Sequence, residues 1–271
     1  AADELFGGYN RYKYTPQIFN FRNKLPNILV KFMNNYFFYN KDSSSRQINN
    51  FLKIFSRSSK INKIDQEKIL KILKIFSKNT KLEMFLELIS IKDNFSNFQK
   101  YKDLDIVQLL NFEWDENFPY SQNMMNVDIQ SYLPDDILVK VDRAAMYYGL
   151  ETRVPFLSKS ISTFAKNLPL KYKIKNNQTK WILRKILEKN IDIKKIDHPK
   201  TGFSIPLNNW LKEDLKSWSE RVLSKSNIEK YGYLNYEKVN HLRLEHLKSN
   251  NYSYTNLWNI IMFQTWLENY L

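Results

Sequence analysis

Apolar residues recur at helical spacing through most of this chain and almost nowhere alternate as they do in a half-buried strand. That pattern restricts the fold to a mostly α architecture. From Gln17 to Tyr39 the stripe runs through Ile28, Leu29, Phe32, Met33, Tyr36 and Phe37, and Asp42-Ser43-Ser44-Ser45 breaks it. Asp65 stands where an N-cap belongs, ahead of QEKILKILKIFSKN, whose Ile69, Leu73 and Phe76 share one face. Further helices are expected over Gln178 to Asn190, Pro206 to Leu223, Tyr236 to Ser249 and Tyr254 to Leu271. Phe95 to Pro119 reads as short helices and loops, and the one strand expected is Lys171 to Lys175. No internal repeat and no Pro/Gly/Ser linker interrupts the chain, so residues 1–271 are expected to form one unit.

Composition narrows the function classes. A hydrophobic content of 43% with 15% aromatic residues is enough to build a core. The absence of Cys removes disulfides, thiolate catalysis and Cys-based zinc sites, and is compatible with a cytoplasmic location. No stretch approaches the ~20 apolar residues that span a bilayer, so no membrane partner is expected. The formal charge of +14 invites a nucleic-acid reading, but the excess is Lys scattered among Asn, Ile, Phe and Tyr. There is no Arg stripe, no zinc-finger spacing and no RNP-like strand, so the charge reads as a solvated surface and no nucleic-acid partner is expected. The basic amphipathic helix after Asp65 suits packing against neighbouring helices better than a membrane surface.

The segment SYLPDDILVKVDRAAMYYGLETRVPFL carries more chemistry. Pro134 suits a first helical turn, Asp135 and Asp136 sit near the positive end of the helix dipole, and Gly149 is placed to end the helix. Ile137, Val141, Ala144, Ala145 and Tyr148 define an expected buried face. Off that face Asp136, Lys140 and Arg143 align, with Asp135 and Asp142 in the adjacent row; a ladder of i,i+4 pairs explains this as well as a binding site does. Glu151 and Arg153 then point the same way in an extended segment held by Val154-Pro155.

A second concentration is DHPKTGFSIP, where Pro199 and Pro206 bracket Lys200, Gly202 and Phe203. Either this is a plain Thr-Gly turn, or it aims the Lys200 ammonium at a phosphate as a point charge. Only five glycines occur in the chain, and all but Gly232 lie in these two segments or in the opening DELFGGY, at Gly7 and Gly8.

Together these segments resemble the synthetase domain of glutamine-hydrolysing asparagine synthetases. The family shows small residues before Asp-Glu-Leu-Phe-Gly-Gly-Tyr, matched by Asp3 to Tyr9, and Leu-Pro-Asp before a helix with Asp-Arg, matched by Leu133 to Asp135 and Asp142-Arg143. It continues with Leu-Glu-x-Arg-Val-Pro-Phe-Leu, a Lys-Trp-Ile-Leu-Arg-like helix start and a Pro-Lys-x-Gly-Phe loop, matched by Leu150 to Leu157, Lys180 to Arg184 and Pro199 to Phe203. The ending NLWNIIMFQTWLENYL is similar to the family's last helix. Ser158 departs from the Asp that commonly follows Val-Pro-Phe-Leu.

The resemblance implies a fold: the helical C-terminal portion of an ATP-pyrophosphatase-type (adenine nucleotide α hydrolase-like) α/β synthetase domain, with little sheet left. It implies that residues 1–271 are a single partial domain, without the N-terminal glutaminase domain and the Ser-Gly-Gly-x-Asp-Ser pyrophosphate loop. It also implies a carbon–nitrogen ligase using ATP and Mg²⁺, in which aspartate is adenylated on its β-carboxylate and ammonia from glutamine attacks the acyl-adenylate. Lys200 and Glu4 are then the catalytic candidates, one opposing phosphate charge and one accepting a proton from the amine. Asp3 is expected to hold the nucleotide or its metal, and Asp136, Asp142, Arg143, Glu151 and Arg153 to serve substrate or nucleotide binding. No metal ligands are assigned, and a homodimer is expected of the full-length protein. A ligase acting on another carboxylate, such as a polysaccharide sugar acid, and a non-catalytic basic helical binding module remain the alternatives.

Overall fold

The computed structural model describes residues 1–30, 74–90, 98–99, 112–192, 205–248 and 254–271. They are mostly helical, and among them no extended strand occurs; the only strand-like pairings are isolated bridges, Gln99 with Leu234 and Lys175 with Gln178. None of their helices is long and apolar enough to cross a membrane. The chain divides into two compact units, Ala1–Leu88 with Ile106–Pro199 and Ile89–Asp105 with Lys200–Leu271.

The first unit opens with α1 (Ala2–Phe6) and α2 (Asn10–Arg22). Helix α3 (Lys81–Ile89) buries Met84 and Phe85, and α4 (Tyr120–Gln130) packs against both α1 and α2. A π-helical turn, Leu133–Leu138, then leads into α5 (Val139–Met146). Helices α6 (Lys159–Asn167), α7 (Leu170–Lys173) and α8 (Trp181–Leu187) complete the unit, with α6 and α8 both against α1. Leu5, Phe6 and Ala165 form one buried cluster, covered by Ile129, Phe156, Leu157, Ile161, Leu168, Ile182 and Leu183. The short first helix is thus where α4, α6 and α8 meet.

Pro16 lies inside α2 and has no N–H to give the Tyr12 carbonyl four residues back. The Ser121 hydroxyl of α4 supplies that missing donor at 2.6 Å. A helix defect becomes the joint between two helices.

The second unit holds α9 (Leu207–Trp210), α10 (Lys216–Val222), α11 (Lys225–Tyr231), α12 (Tyr236–Lys248) and α13 (Tyr254–Tyr270). Helix α13 buries Leu257, Ile260, Ile261, Gln264 and Leu267, a repeating 3–4 spacing that presents one face to α10 and α12. Val222, Ile228, Val239 and Leu242 close the core around it.

Several expectations need correction. The helix expected from Gln17 breaks after Arg22, because Pro26 interrupts the ladder; residues 27–30 are helical again, Ile28 is 81% exposed and Val30 is buried. Lys171 to Lys175 is no strand: α7 occupies most of it, and Lys175 then closes a two-residue turn with Gln178 in which Asn176 and Asn177 both take positive φ. The helix expected from Pro206 to Leu223 is two helices, α9 and α10, separated by a turn. Most of the basic helix after Asp65, with Ile69 and Leu73, and most of Phe95 to Pro119 lie outside the described residues; Phe76 is buried.

The largest correction concerns α5. Its expected buried face is solvent-facing: no residue of α5 is buried, Val141 is 42% exposed and Tyr148 77%. Periodicity reports that a face is apolar, not that anything covers it. The end of the helix matches expectation, since Gly149 adopts φ +68 and the Leu150 N–H returns to the Ala145 carbonyl at 3.0 Å.

Candidate functional site

Within the first unit the DELFGGY segment is a helix stub and a turn. Gly7 ends α1 at φ +70, a left-handed conformation that L side chains resist, and its N–H caps the Asp3 carbonyl. Gly8 follows, its N–H on the same carbonyl at 2.7 Å. It serves a different purpose, which is close approach. A Cβ on Gly8 would stand 2.0 Å from Asp3 Oδ1 and 2.4 Å from Lys180 Cε.

Those two groups form an ion pair, Lys180 Nζ to Asp3 Oδ1 at 3.0 Å, with side chains 32% and 24% exposed. Lys180 is placed there by its backbone, since it precedes α8 at φ +51. A compact ammonium and a carboxylate, both still open to solvent, therefore meet above a bare stretch of backbone.

Glu4 points the other way. It is 1% exposed, and its Oε1 accepts from the Tyr9 hydroxyl at 2.5 Å. Burial works to raise its pKa, and the bond from the Tyr9 hydroxyl works to lower it. Burial and the Glu4 carboxylate push the Tyr9 phenol upward, so Tyr9 stays protonated and donates.

Behind Tyr9 lies a second cluster. Asp128 of α4 is buried, and its Oδ2 accepts Arg11 Nε at 3.0 Å, Arg11 Nη2 at 2.7 Å and a short bond from the Tyr12 hydroxyl. The Arg11 guanidinium sits 4.3 Å from the Tyr9 ring centre, 5.3 Å from Tyr132 and 5.5 Å from Tyr12. Under the turn, Lys173 is 1% exposed and donates to Gln122 Oε1 at 3.4 Å; burial lowers its pKa to about 8.

Three of the other sequence candidates pair with near neighbours. Asp136 pairs with Lys140 at 3.4 Å with both side chains at least half exposed, and Glu151 pairs with Arg153 on the surface. Asp142 and Arg143 are exposed. Lys200 lies outside the described residues. The structure thus joins Asp3 to Lys180, a residue noticed only as the start of a helix, and adds Tyr9, Arg11, Tyr12 and Asp128. Only the clustering of glycines hinted at the first pair; nothing local marks Asp128 as the partner of Arg11.

A bare glycine turn with a half-buried ammonium–carboxylate pair over it, on a helical scaffold, is an arrangement that charged groups can approach. The chain belongs to the asparagine synthase family, whose sequence model matches residues 1–268. It is 28% identical over 266 residues to the asparagine synthetase [glutamine-hydrolyzing] 1 of Bacillus subtilis (strain 168), a match covering 98% of this chain and 39% of that relative. It is 32% identical over 145 residues to a putative asparagine synthetase [glutamine-hydrolyzing] of Mycobacterium bovis, covering 53% of this chain and 22% of the relative. A third relative, asparagine synthetase [glutamine-hydrolyzing] 3 of Bacillus subtilis (strain 168), is 35% identical over 96 residues, which are 32% of this chain and 16% of the relative. The chain therefore spans well under half the length of these proteins. No solved structure matches it significantly.

Proposed function

We propose that this chain forms part of the synthetase site of an ATP-dependent amide-forming ligase. The observation that carries the reading is the Asp3–Lys180 pair laid over Gly8 inside the segment that matches the family. In the reaction, a β-carboxylate oxygen of aspartate attacks the α-phosphorus of ATP and pyrophosphate leaves. Ammonia derived from glutamine then attacks the acyl carbon, AMP leaves, and a proton is lost as asparagine forms. The chemistry needs positive charge where phosphate charge develops. Lys200 is the proposed source, and Lys180 brings a second ammonium to the turn that carries Asp3.

Asp3 is proposed to hold the nucleotide, and Asp136, Asp142, Arg143, Glu151 and Arg153 the substrate end. Mg²⁺ beside a nucleotide is held by one or two carboxylates and the substrate's own phosphates, and Asp3 is the carboxylate that would take part here. The reading takes both compact units as one partial synthetase domain of the ATP-pyrophosphatase type, in a cytoplasmic protein that is a homodimer at full length.

Glu4 is the proposed proton acceptor for the attacking amine. Its burial and its bond to the Tyr9 hydroxyl favour a competing role, anchoring the Tyr9 turn. Glu4→Gln separates the two. As a base, its loss should slow amide formation ~10²–10⁴-fold with melting unchanged. As an anchor, it should lower the melting temperature and leave the rate per folded molecule intact.

The function itself is tested by pyrophosphate release from ATP with the protein expressed from its whole reading frame. Release that requires aspartate, with asparagine formed on adding ammonium, is the expected result. Release that requires a sugar acid instead would identify the amidotransferase alternative, and no release with any carboxylate would leave a binding module.

A further inference from the structure

We propose that Arg11, clamped by Asp128, is a positioning residue that fixes the Tyr9 phenol and through it the orientation of the Glu4 carboxylate. The inference concerns the same turn as the proposed ligase site and rests on that reading only for its catalytic consequence. Its basis is a continuous set of contacts. One buried carboxylate oxygen of Asp128 takes both Arg11 Nε and Nη2, which anchors that edge of the guanidinium, and the Tyr9, Tyr12 and Tyr132 rings around it set its plane. That plane has the Tyr9 ring 4.3 Å from its carbon, and the ring stands edge-on to Tyr12 at 5.6 Å and to Tyr132 at 6.0 Å. A ring held on one side by a cation and on two others by aromatic neighbours has little freedom in χ1 or χ2. Its hydroxyl reaches Glu4 Oε1 at 2.5 Å.

Tyr12 reinforces the clamp without reaching Glu4, because its own hydroxyl is committed to Asp128. The geometry is asymmetric: three tyrosines frame the guanidinium, and Tyr9 alone transmits its position to α1. A bare positive charge would not do this. Lysine at position 11 would keep the charge, lose the two-point bond to Asp128 and lose the flat face that lies against Tyr9.

The test is proton NMR of the phenolic hydroxyls in this chain. A Tyr hydroxyl bonded to a buried carboxylate exchanges slowly and resonates downfield. The Tyr9 signal is identified by its loss in Tyr9→Phe and its shift in Glu4→Gln, and the Tyr12 signal by its loss in Tyr12→Phe. Arg11→Lys is expected to abolish the Tyr9 signal while the methyl resonances of Leu5 and Ile182 stay at their native positions. Persistence of the Tyr9 signal in folded Arg11→Lys overturns the proposal. If Arg11→Lys does not fold, Asp128→Leu is read in its place, since it keeps a similar volume, removes both acceptor oxygens and leaves the guanidinium present but unclamped; a retained Tyr9 signal there overturns the proposal equally. A lost Tyr9 signal in a chain whose whole-frame protein releases no pyrophosphate would sink the ligase reading and leave this inference standing.

Discussion

Gly8 has no side chain because Asp3 and Lys180 occupy the space one would fill, while Gly7 has none because its φ of +70 strains any other residue. The two glycines should therefore fail differently. Gly7→Ala is expected to cost about 1–2 kcal/mol of stability through the left-handed conformation alone, and Ile174 Cγ1 would stand 2.9 Å from the new methyl. Gly8→Ala meets only the ends of two flexible side chains, which can swing aside, and an exposed pair is worth about 0–1 kcal/mol. It should melt close to the native chain yet lose pyrophosphate release. Thermal unfolding and the reaction measured on both variants check the split, and equal loss of stability in the two would refute it. Sequence reading located this turn, since paired glycines in a glycine-poor chain are hard to miss. It could not divide their roles, because Ile174 and Lys180 reach the turn only through tertiary folding.

At the scale of the helix, the α2–α4 joint makes a sharper demonstration. Ser121 gives its hydroxyl to the Tyr12 carbonyl that Pro16 leaves without a donor. Ser121→Ala strands a buried acceptor and should cost about 1–3 kcal/mol. In a Pro16→Ala background the restored N–H at position 16 can bond that carbonyl, so the same Ser121→Ala should cost distinctly less. Denaturant unfolding of the four chains measures the coupling; purely additive losses would mean the serine bond is incidental. The C-terminal helices were legible because each carries its own repeat of apolar residues, as in Leu257, Ile260, Ile261 and Leu267. Helix α5 was legible as a helix and misjudged as to environment, because Val141 and Tyr148 look the same in sequence whether or not a neighbour covers them. Lys171 to Lys175 failed for another reason: Pro169 starts a helix there, and Lys173 buries its stem and ammonium where alternation had suggested a strand.

For the molecule as a whole, each compact unit holds, among the described residues, a buried basic group whose pKa burial depresses, and such groups make stability vary with pH. In the second unit His246 of α12 is 1% exposed with neither ring nitrogen hydrogen-bonded, and burial, aided by the positive charge of Lys212, depresses its pKa below the usual histidine value of 6.5. As pH falls through 6.5 the unfolded chain takes up a proton before the folded one does, so stability drops on the acid side. In the first unit burial lowers Lys173 from 10.5 to about 8. Between those values the unfolded chain again holds the proton that the folded chain has released, so stability rises with pH there, by up to about 3 kcal/mol. Both groups therefore tilt the profile the same way, against the common optimum near neutrality. Denaturant unfolding followed from pH 5 to 9 should show stability still climbing above pH 8; nearer pH 10 the Tyr9, Tyr12 and Tyr120 phenols, which burial keeps protonated in the fold, pull it down again. Lys173→Met should flatten that alkaline rise and leave the acid limb unchanged, and His246→Leu should flatten the acid limb alone. A native profile that is level above pH 8, or a Lys173→Met profile that still rises, would show that the ammonium finds an anion or water in solution and is not carried bare within the fold.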